Sequence, residues 1–265
     1  MELEQIYKNL LSNARAVVVD IANNNDISEI KQKSHQDYVT NLDVYVENYL
    51  KEHVPQTIEN IPGLSEETIK DQIELPEEAI IIDPIDGTLN VIGEIPFYAI
   101  SIAYLHNGVP KLGVTYDFQR DELFHAMAGN GFYINDKKVN PLSKELRGKL
   151  PIAISNNFLK LAAEKDTSVL VGLRDIARIR LLGSQTLHLA YVASGRLRAD
   201  FDYEAKFWDD AAGYVMLKEM GISYVNFDGE EIFPKNILDP KENLKSLAAS
   251  KEDLAILLKL TKGKF

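Results

Sequence analysis

The segment that most constrains this chain is a short apolar run, Ala79-Ile80-Ile81-Ile82, that ends abruptly in two carboxylates three residues apart, Asp83-Pro84-Ile85-Asp86-Gly87-Thr88. A continuous apolar run bounded by turn residues predicts a strand buried on both faces. A chain of 265 residues can surround such a strand with a full core without metal or disulfide staples, so a metal here is expected to serve chemistry rather than folding. Carboxylates placed together where a buried strand emerges are costly unless cations neutralise them. A hard divalent cation such as Mg²⁺ meets that need. It takes oxygen ligands, usually one or two carboxylates with water and substrate phosphate, and this turn can also aim the carbonyl of Ile85 at the same ion. Gly87 permits a tight approach and Thr88 offers a hydroxyl. Asp, Pro and Gly are also common turn residues, so a plain turn stands beside the metal reading.

Two other acidic segments invite the same question. Ser65-Glu66-Glu67-Thr68 lies in a polar stretch, where a solvated pair is the default. Trp208-Asp209-Asp210-Ala211-Ala212-Gly213 joins the only tryptophan to acids at a helix start, where an N-cap is the simpler role. The whole chain has 29 basic and 40 acidic side chains, a net charge of −11, which argues against broad contact with a nucleic-acid backbone. There is no cysteine, which excludes disulfides, thiolate nucleophiles and cysteine-ligated metals and fits a reducing cytoplasm. No stretch of about 18 apolar residues occurs, and the acidic start Met1-Glu2-Leu3-Glu4 lacks a signal-peptide pattern, so the expectation is an unprocessed cytosolic protein with no membrane contact.

Apolar residues at Leu3, Ile6, Leu10, Leu11, Ala14, Val17, Val18 and Ile21 recur with helical period, predicting a long helix ending at Asn23-Asn24-Asn25. After an extended stretch near Ile30, Thr40 caps a second helix with Asp43 in a capping-box position, and that helix stops near Pro55. Residues 55–78 read as loop. From Phe97 to Val139 strands alternate with turns such as Asn107-Gly108 and Gly129-Asn130-Gly131, an antiparallel meander. Beyond Pro141 strands near Ile152 to Ser155, Ile176 to Leu182 and Leu197 to Phe201 alternate with helices from Phe158 and Ser184. A helix from Trp208 to Met220, short strands and a last helix from Lys251 to Leu260 follow. The first half reads as α+β and the second as α/β, with a seam near residue 145. Residues 1–145 would carry the meander and most candidate ligands, and residues 146–265 would complete the site, the halves packing together for want of any flexible linker.

Five segments stand in the order seen in the inositol monophosphatase family: Asp37-Tyr38-Val39-Thr40-Asn41-Leu42-Asp43, Ser65-Glu66-Glu67-Thr68, Asp83-Pro84-Ile85-Asp86-Gly87-Thr88-Leu89-Asn90, Gly183-Ser184 and Trp208-Asp209-Asp210-Ala211-Ala212-Gly213. The chain resembles that family over residues 5 to 260. The resemblance implies the sugar-phosphatase fold, alternating layers of helices and two β-sheets (αβαβα), and a Mg²⁺-dependent, lithium-sensitive phosphomonoesterase. It implies that Glu66, Asp83 and the carbonyl of Ile85 hold one Mg²⁺, that Asp83, Asp86 and Asp209 hold a second, and that Glu66 helps place a third, weaker ion. Metal-activated water would attack phosphorus in line, the two cations clamping the attacking and leaving oxygens. Thr88, held by Asp43, would orient or deprotonate that water. Gly87 and Thr88 would offer backbone N–H groups to the phosphate, with Asp86, Gly183, Ser184, Glu204 and Asp209 on the substrate side.

The chain departs from the family pattern at two places. Gln185 is long and polar where a small residue is usual, and the connection from Asp200 to Asp209 is about two residues shorter. Glu204 aligns with the family acid that meets ring hydroxyls, while Lys206 offers a charge for a second phosphate. Ser184 also suits a helix cap. His35, His53, His106, His125 and His188 show no paired metal spacing. Arg178, Arg180, Arg196 and Arg198 form a local basic cluster that reads as surface charge, or else as phosphate attraction or a subunit contact.

The substrate expected from these features is inositol monophosphate or a similar polyol or sugar phosphate. Fructose 1,6-bisphosphate, NADP and 3′-phosphoadenosine 5′-phosphate are alternatives for the same site, because fold alone does not fix the substrate. A different class is an accessory factor of the transcription machinery, a role some bacterial relatives have. The resemblance also implies a homodimer.

Overall fold

The computed structural model describes residues 3–24, 30–34, 37–57 and 61–265. Among these, helices and two main sheets alternate in five layers. The first layer is α1 (Leu3–Asn24) and α2 (Asn41–Thr57), the latter entered through an antiparallel ribbon of β1 (Ile30–Ser34) and β2 (Asp37–Thr40). Thr40 caps α2 as its sequence predicts, accepting the Leu42 N–H at 3.2 Å while Asp43 accepts the Thr40 N–H at 2.9 Å. The helix runs past Pro55 to Thr57, because a proline in the last turn removes one hydrogen bond without interrupting the turns before it.

The second layer is a seven-stranded sheet. It comprises β3 (Gly63–Ser65), β5 (Glu78–Asp86), β6 (Ala99–His106), β7 (Val109–Asp117), β8 (Glu122–Met127), β9 (Gly131–Ile134) and β10 (Lys137–Lys138), in the order β10-β9-β8-β7-β6-β5-β3. β5 to β10 form the antiparallel meander, and β3 lies parallel to β5. The stretch read as loop therefore holds β3 and also β4 (Ile73–Glu74), which pairs with the distant β15 (Ile237–Leu238). Strands of two or three residues leave no periodicity in a sequence. Along β5 the side chains alternate faces, Ile80 and Ile82 packing with Ile6, Leu10, Val46 and Leu50 beneath α1 and α2, and Ala79 and Ile81 packing on the opposite side.

That opposite side meets the central layer, α7 (Gln185–Ala193) and α8 (Phe207–Glu219), with the short α3 (Thr88–Ile92) following β5. The two central helices approach closely because Gly213 has no side chain. A Cβ there would lie 2.5 Å from Cβ of Leu189. The fourth layer is a mixed sheet in the order β12-β11-β13-β16-β14. β11 (Ile152–Ile154) runs parallel to β12 (Ile179–Arg180) and β13 (Ala199–Phe201), and β16 (Ser246–Ala249) is antiparallel to both β13 and β14 (Ser223–Asn226). Ala153 faces the central helices, whereas Ile152 and Ile154 face the outer helices α5 (Asn156–Lys165), α6 (Ser168–Ile176) and α9 (Lys251–Thr261).

The αβαβα fold class is the one the sequence predicts, with local differences. The strand read from Ile176 to Leu182 contracts to β12, because Ile176 closes α6, whose Val169 and Leu173 are buried in the outer core. A single helical turn, α4 (Lys144–Arg147), capped by Ser143, leads into the second sheet. Among the described residues no helix is long and apolar enough to cross a membrane.

Candidate active site

The site begins at a bulge. β5 pairs Asp83 with Ser101 and Asp86 with Ala99, so three steps along β5 match two along β6. Residues three apart on a regular strand face opposite sides, and the extra residue turns both aspartates to one side. Asp209, in the first turn of α8, completes the group. One carboxylate oxygen from each of Asp83, Asp86 and Asp209 lies within 4.8 Å of the others. Asp209 is fixed by the Lys206 N–H, which donates to Oδ2 at 2.7 Å. Asp86 is fixed by α7, accepting the Ser184 hydroxyl at 2.7 Å and the Thr186 N–H at 2.6 Å on Oδ2.

The chain continues through Gly87, whose φ of 96° and crowded surroundings exclude a side chain, a Cβ there lying 3.1 Å from the carbonyls of Gly183 and Phe97. Thr88 then opens α3. Its hydroxyl lies 2.9 Å from Asp43 Oδ1 and 3.2 Å from the carbonyl of Ile85. Asn90, buried two residues on, donates to the carbonyls of Phe97 at 2.6 Å and Leu182 at 2.8 Å, tying α3 to the Gly183 loop. Its place in the quoted motif did not reveal that role, since both partners are fixed only by the fold.

Burial raises the pKa of each of these carboxyl groups. Asp83 is pushed well above the usual carboxylate range by burial and then by the charges of Glu66, Asp209 and Asp86. Asp209 is raised in the same way by burial, Asp86 and Glu66. Burial raises Asp86 too, offset by its bonds from Ser184 and Thr186. Asp43 is raised by burial, offset by Thr40 and Thr88. Glu66 thus stands close enough to act on two of the three carboxylates, and its N–H donates to the carbonyl of Ile82 at 3.2 Å.

These residues fit a hard divalent cation. Asp83 Oδ1 is buried and accepts no hydrogen bond, and neighbouring carboxylates of like charge crowd it. The donors are all oxygen, the set that suits Mg²⁺ and not a thiolate-loving metal.

The departures from the family pattern now have locations. Gln185 points into the interior: it is buried, and its amide donates to Asp200 at 3.0 Å and Asp210 at 2.9 Å. Lys206 reaches back to Asn243 Oδ1 at 2.7 Å and to the carbonyl of Glu242. Glu204 lies by the backbone N–H groups of Asn156 and Asn157 at the start of α5, which favour its charged form against burial, and close enough to Asp86 for their charges to interact. Ser184 both caps α7 and binds Asp86. Gly183 lies at the exposed mouth of the loop. The arginines do not act as one patch: Arg196 pairs with Glu122 and Arg198 with Asp253, while Arg178 and Arg180 are exposed. His53 and His125 contact backbone carbonyls, His188 lies 3.1 Å from Asp200, and His35 falls outside the described residues.

The sequence profile of the inositol monophosphatase family matches residues 2–259. The chain is 35% identical over 231 residues to the inositol-1-monophosphatase of Bacillus subtilis (strain 168), covering 86% of this chain and 87% of that protein. It is 33% identical over 199 residues to Nus factor SuhB of Pasteurella multocida (strain Pm70), covering 74% of each. It superposes with a TM-score of 0.83 and 25% identity on the crystal structure of an IMPase/NADP phosphatase complexed with Mg²⁺ and phosphate, covering 97% of this chain and 95% of that one. Fold and site together are those of a phosphoric monoester hydrolase. The chain belongs to the inositol monophosphatase family.

Proposed function

We propose that this phosphatase hydrolyses a small, hydroxyl-rich phosphate monoester, inositol monophosphate or a related polyol or sugar phosphate. The observation that carries this reading is the convergence of Asp83, Asp86 and Asp209 beside a threonine hydroxyl held by a buried aspartate. In this reading Asp83, Asp86, Asp209, Glu66 and the carbonyl of Ile85 would hold two Mg²⁺ ions, with a third, weaker one near Glu66. Bound there, Mg²⁺ neutralises phosphate charge and acidifies water. Thr88 Oγ1 accepts the proton of the attacking water while its own proton passes to Asp43 Oδ1, a carboxylate whose pKa burial raises, which makes it the better base. The N–H groups of Gly87 and Thr88 orient the phosphate.

Two features favour a monophosphate with neutral hydroxyls. Glu204, anchored on α5 and near Asp86, can accept hydrogen bonds from ring hydroxyls and repels a second phosphate. Lys206, the cation that would welcome one, is engaged by Asn243. Phosphate release from inositol 1-phosphate, fructose 1,6-bisphosphate, NADP and 3′-phosphoadenosine 5′-phosphate tests the choice. Preference for the inositol ester supports it, and preference for any of the other three overturns the substrate assignment. The family resemblance supports a homodimer, and the absence of cysteine fits a reducing cytoplasm. Similarity to Nus factor SuhB raises a second reading, an accessory role in transcription, which capture of a transcription complex by an inactive Asp83→Asn protein would support.

A further inference from the structure

Thr186 stands at a junction that the motifs do not mark. It is fully buried in the first turn of α7. Its N–H donates to Asp86 Oδ2 at 2.6 Å, and its hydroxyl donates to the backbone carbonyl of Asp209 at 2.7 Å. One residue therefore touches both the strand end that carries Asp86 and the helix turn that carries Asp209. A helical threonine commonly returns its hydroxyl to its own helix, three or four residues back. Thr186 instead spans to the next helix, at a place where Gly213 lets α7 and α8 approach. The carbonyl of Asp209, in the first turn of α8, has a second lone pair beyond its helical bond, and the hydroxyl fills it.

We propose that Thr186 is a positioning residue that sets the distance between Asp86 and Asp209. The inference rests on the reading that these carboxylates hold divalent cations. The N–H contact belongs to the backbone and survives any substitution other than proline, so the hydroxyl is the part that a side-chain change removes. Without it, α8 keeps its helix but loses the tie that registers its first turn against α7. The carboxylates are then less often at the spacing a small cation demands, and metal affinity falls.

The test is Mn²⁺ binding to the full-length protein without substrate, followed by the electron paramagnetic resonance of the free ion, for wild type, Thr186→Val and Thr186→Ser. Valine keeps the shape and removes the hydroxyl, and serine restores it. The expected result is a dissociation constant raised about 3- to 10-fold in the valine variant, the range that one neutral hydrogen bond supports, and recovered by serine. At saturating Mg²⁺ the valine variant should turn over inositol 1-phosphate within about twofold of wild type, since only metal occupancy has changed. Unchanged Mn²⁺ affinity in Thr186→Val overturns the proposal, as does a serine variant that binds no better than valine. A wild-type protein that binds no Mn²⁺ overturns instead the metal reading beneath it.

Discussion

Thr88 Oγ1 donates a 2.9 Å hydrogen bond to Asp43 Oδ1, joining the first turns of α3 and α2 across 45 residues of chain. The other oxygen of the same carboxylate takes the N–H of Thr40, so one side chain caps a helix and holds the Thr88 hydroxyl. Replacing Thr88 with Ala should lower kcat by about 10²- to 10⁴-fold, the usual reach of a proton-transfer group, with KM within a few-fold of wild type. Steady-state kinetics at saturating Mg²⁺ checks this. A rise in KM at constant kcat would make Thr88 a binding group.

Stability should depend on pH with a sign set by the buried acids. Asp83, Asp86 and Asp209 are raised by burial, and Asp210, buried against Tyr224 and Gln185, is pushed from 3.8 to about 7. Between those values the folded protein binds more protons than the unfolded chain, so stability falls as pH rises from about 4 to about 7. Mg²⁺ held by Asp83, Asp86 and Asp209, as proposed, would bind the folded form and displace their protons, so it should raise the unfolding midpoint more at pH 7.5 than at pH 5. Urea titrations in EDTA and in Mg²⁺ give both numbers. A midpoint in EDTA that climbs over this range, and that Mg²⁺ leaves unchanged, would contradict the electrostatic account.

Gln185→Ala separates a core role from a substrate role. The amide donates to two buried carboxylates, and truncation leaves Asp200 and Asp210 each short of a donor, a loss of about 1–3 kcal/mol. Chemical denaturation should show that loss while KM for inositol 1-phosphate stays near wild type. A large KM change at constant stability would return Gln185 to the substrate.

Gly213→Ala tests the closeness of the central helices. The new methyl would sit 2.5 Å from Cβ of Leu189, an atom that cannot swing aside, so overpacking should cost about 1–3 kcal/mol. Leu189→Ala in the same chain should relieve part of it, and a variant as stable as wild type would show that α7 and α8 can part freely.

What the sequence made legible follows from how local each signal is. The buried strand, its two aspartates and the Thr40–Asp43 cap each lie within a few residues, and the folded chain carries them where the pattern predicts. The five motif segments identified the family because their order survives without any knowledge of the fold. Roles that depend on distant partners were hidden. Gln185 reads as polar beside a binding loop, and only the approach of β13 and α8 turns it inward to Asp200 and Asp210. Lys206 reads as a spare cation until Asn243, 37 residues away, takes it. β3 and β4 are too short to show a period and owe their pairing to β5 and β15.

The central claim is that the acidic cluster drives phosphate-ester hydrolysis through divalent cations. Phosphate release from inositol 1-phosphate measured across a Mg²⁺ titration, in wild type and in Asp83→Asn with its fold verified by circular dichroism, tests it most directly. The account predicts saturable, Mg²⁺-dependent turnover in wild type and a rate lower by about 10³-fold or more in the variant, the several kcal/mol that a displaced cation supplies. Equal turnover by the two proteins, or turnover indifferent to Mg²⁺ and EDTA, would contradict it.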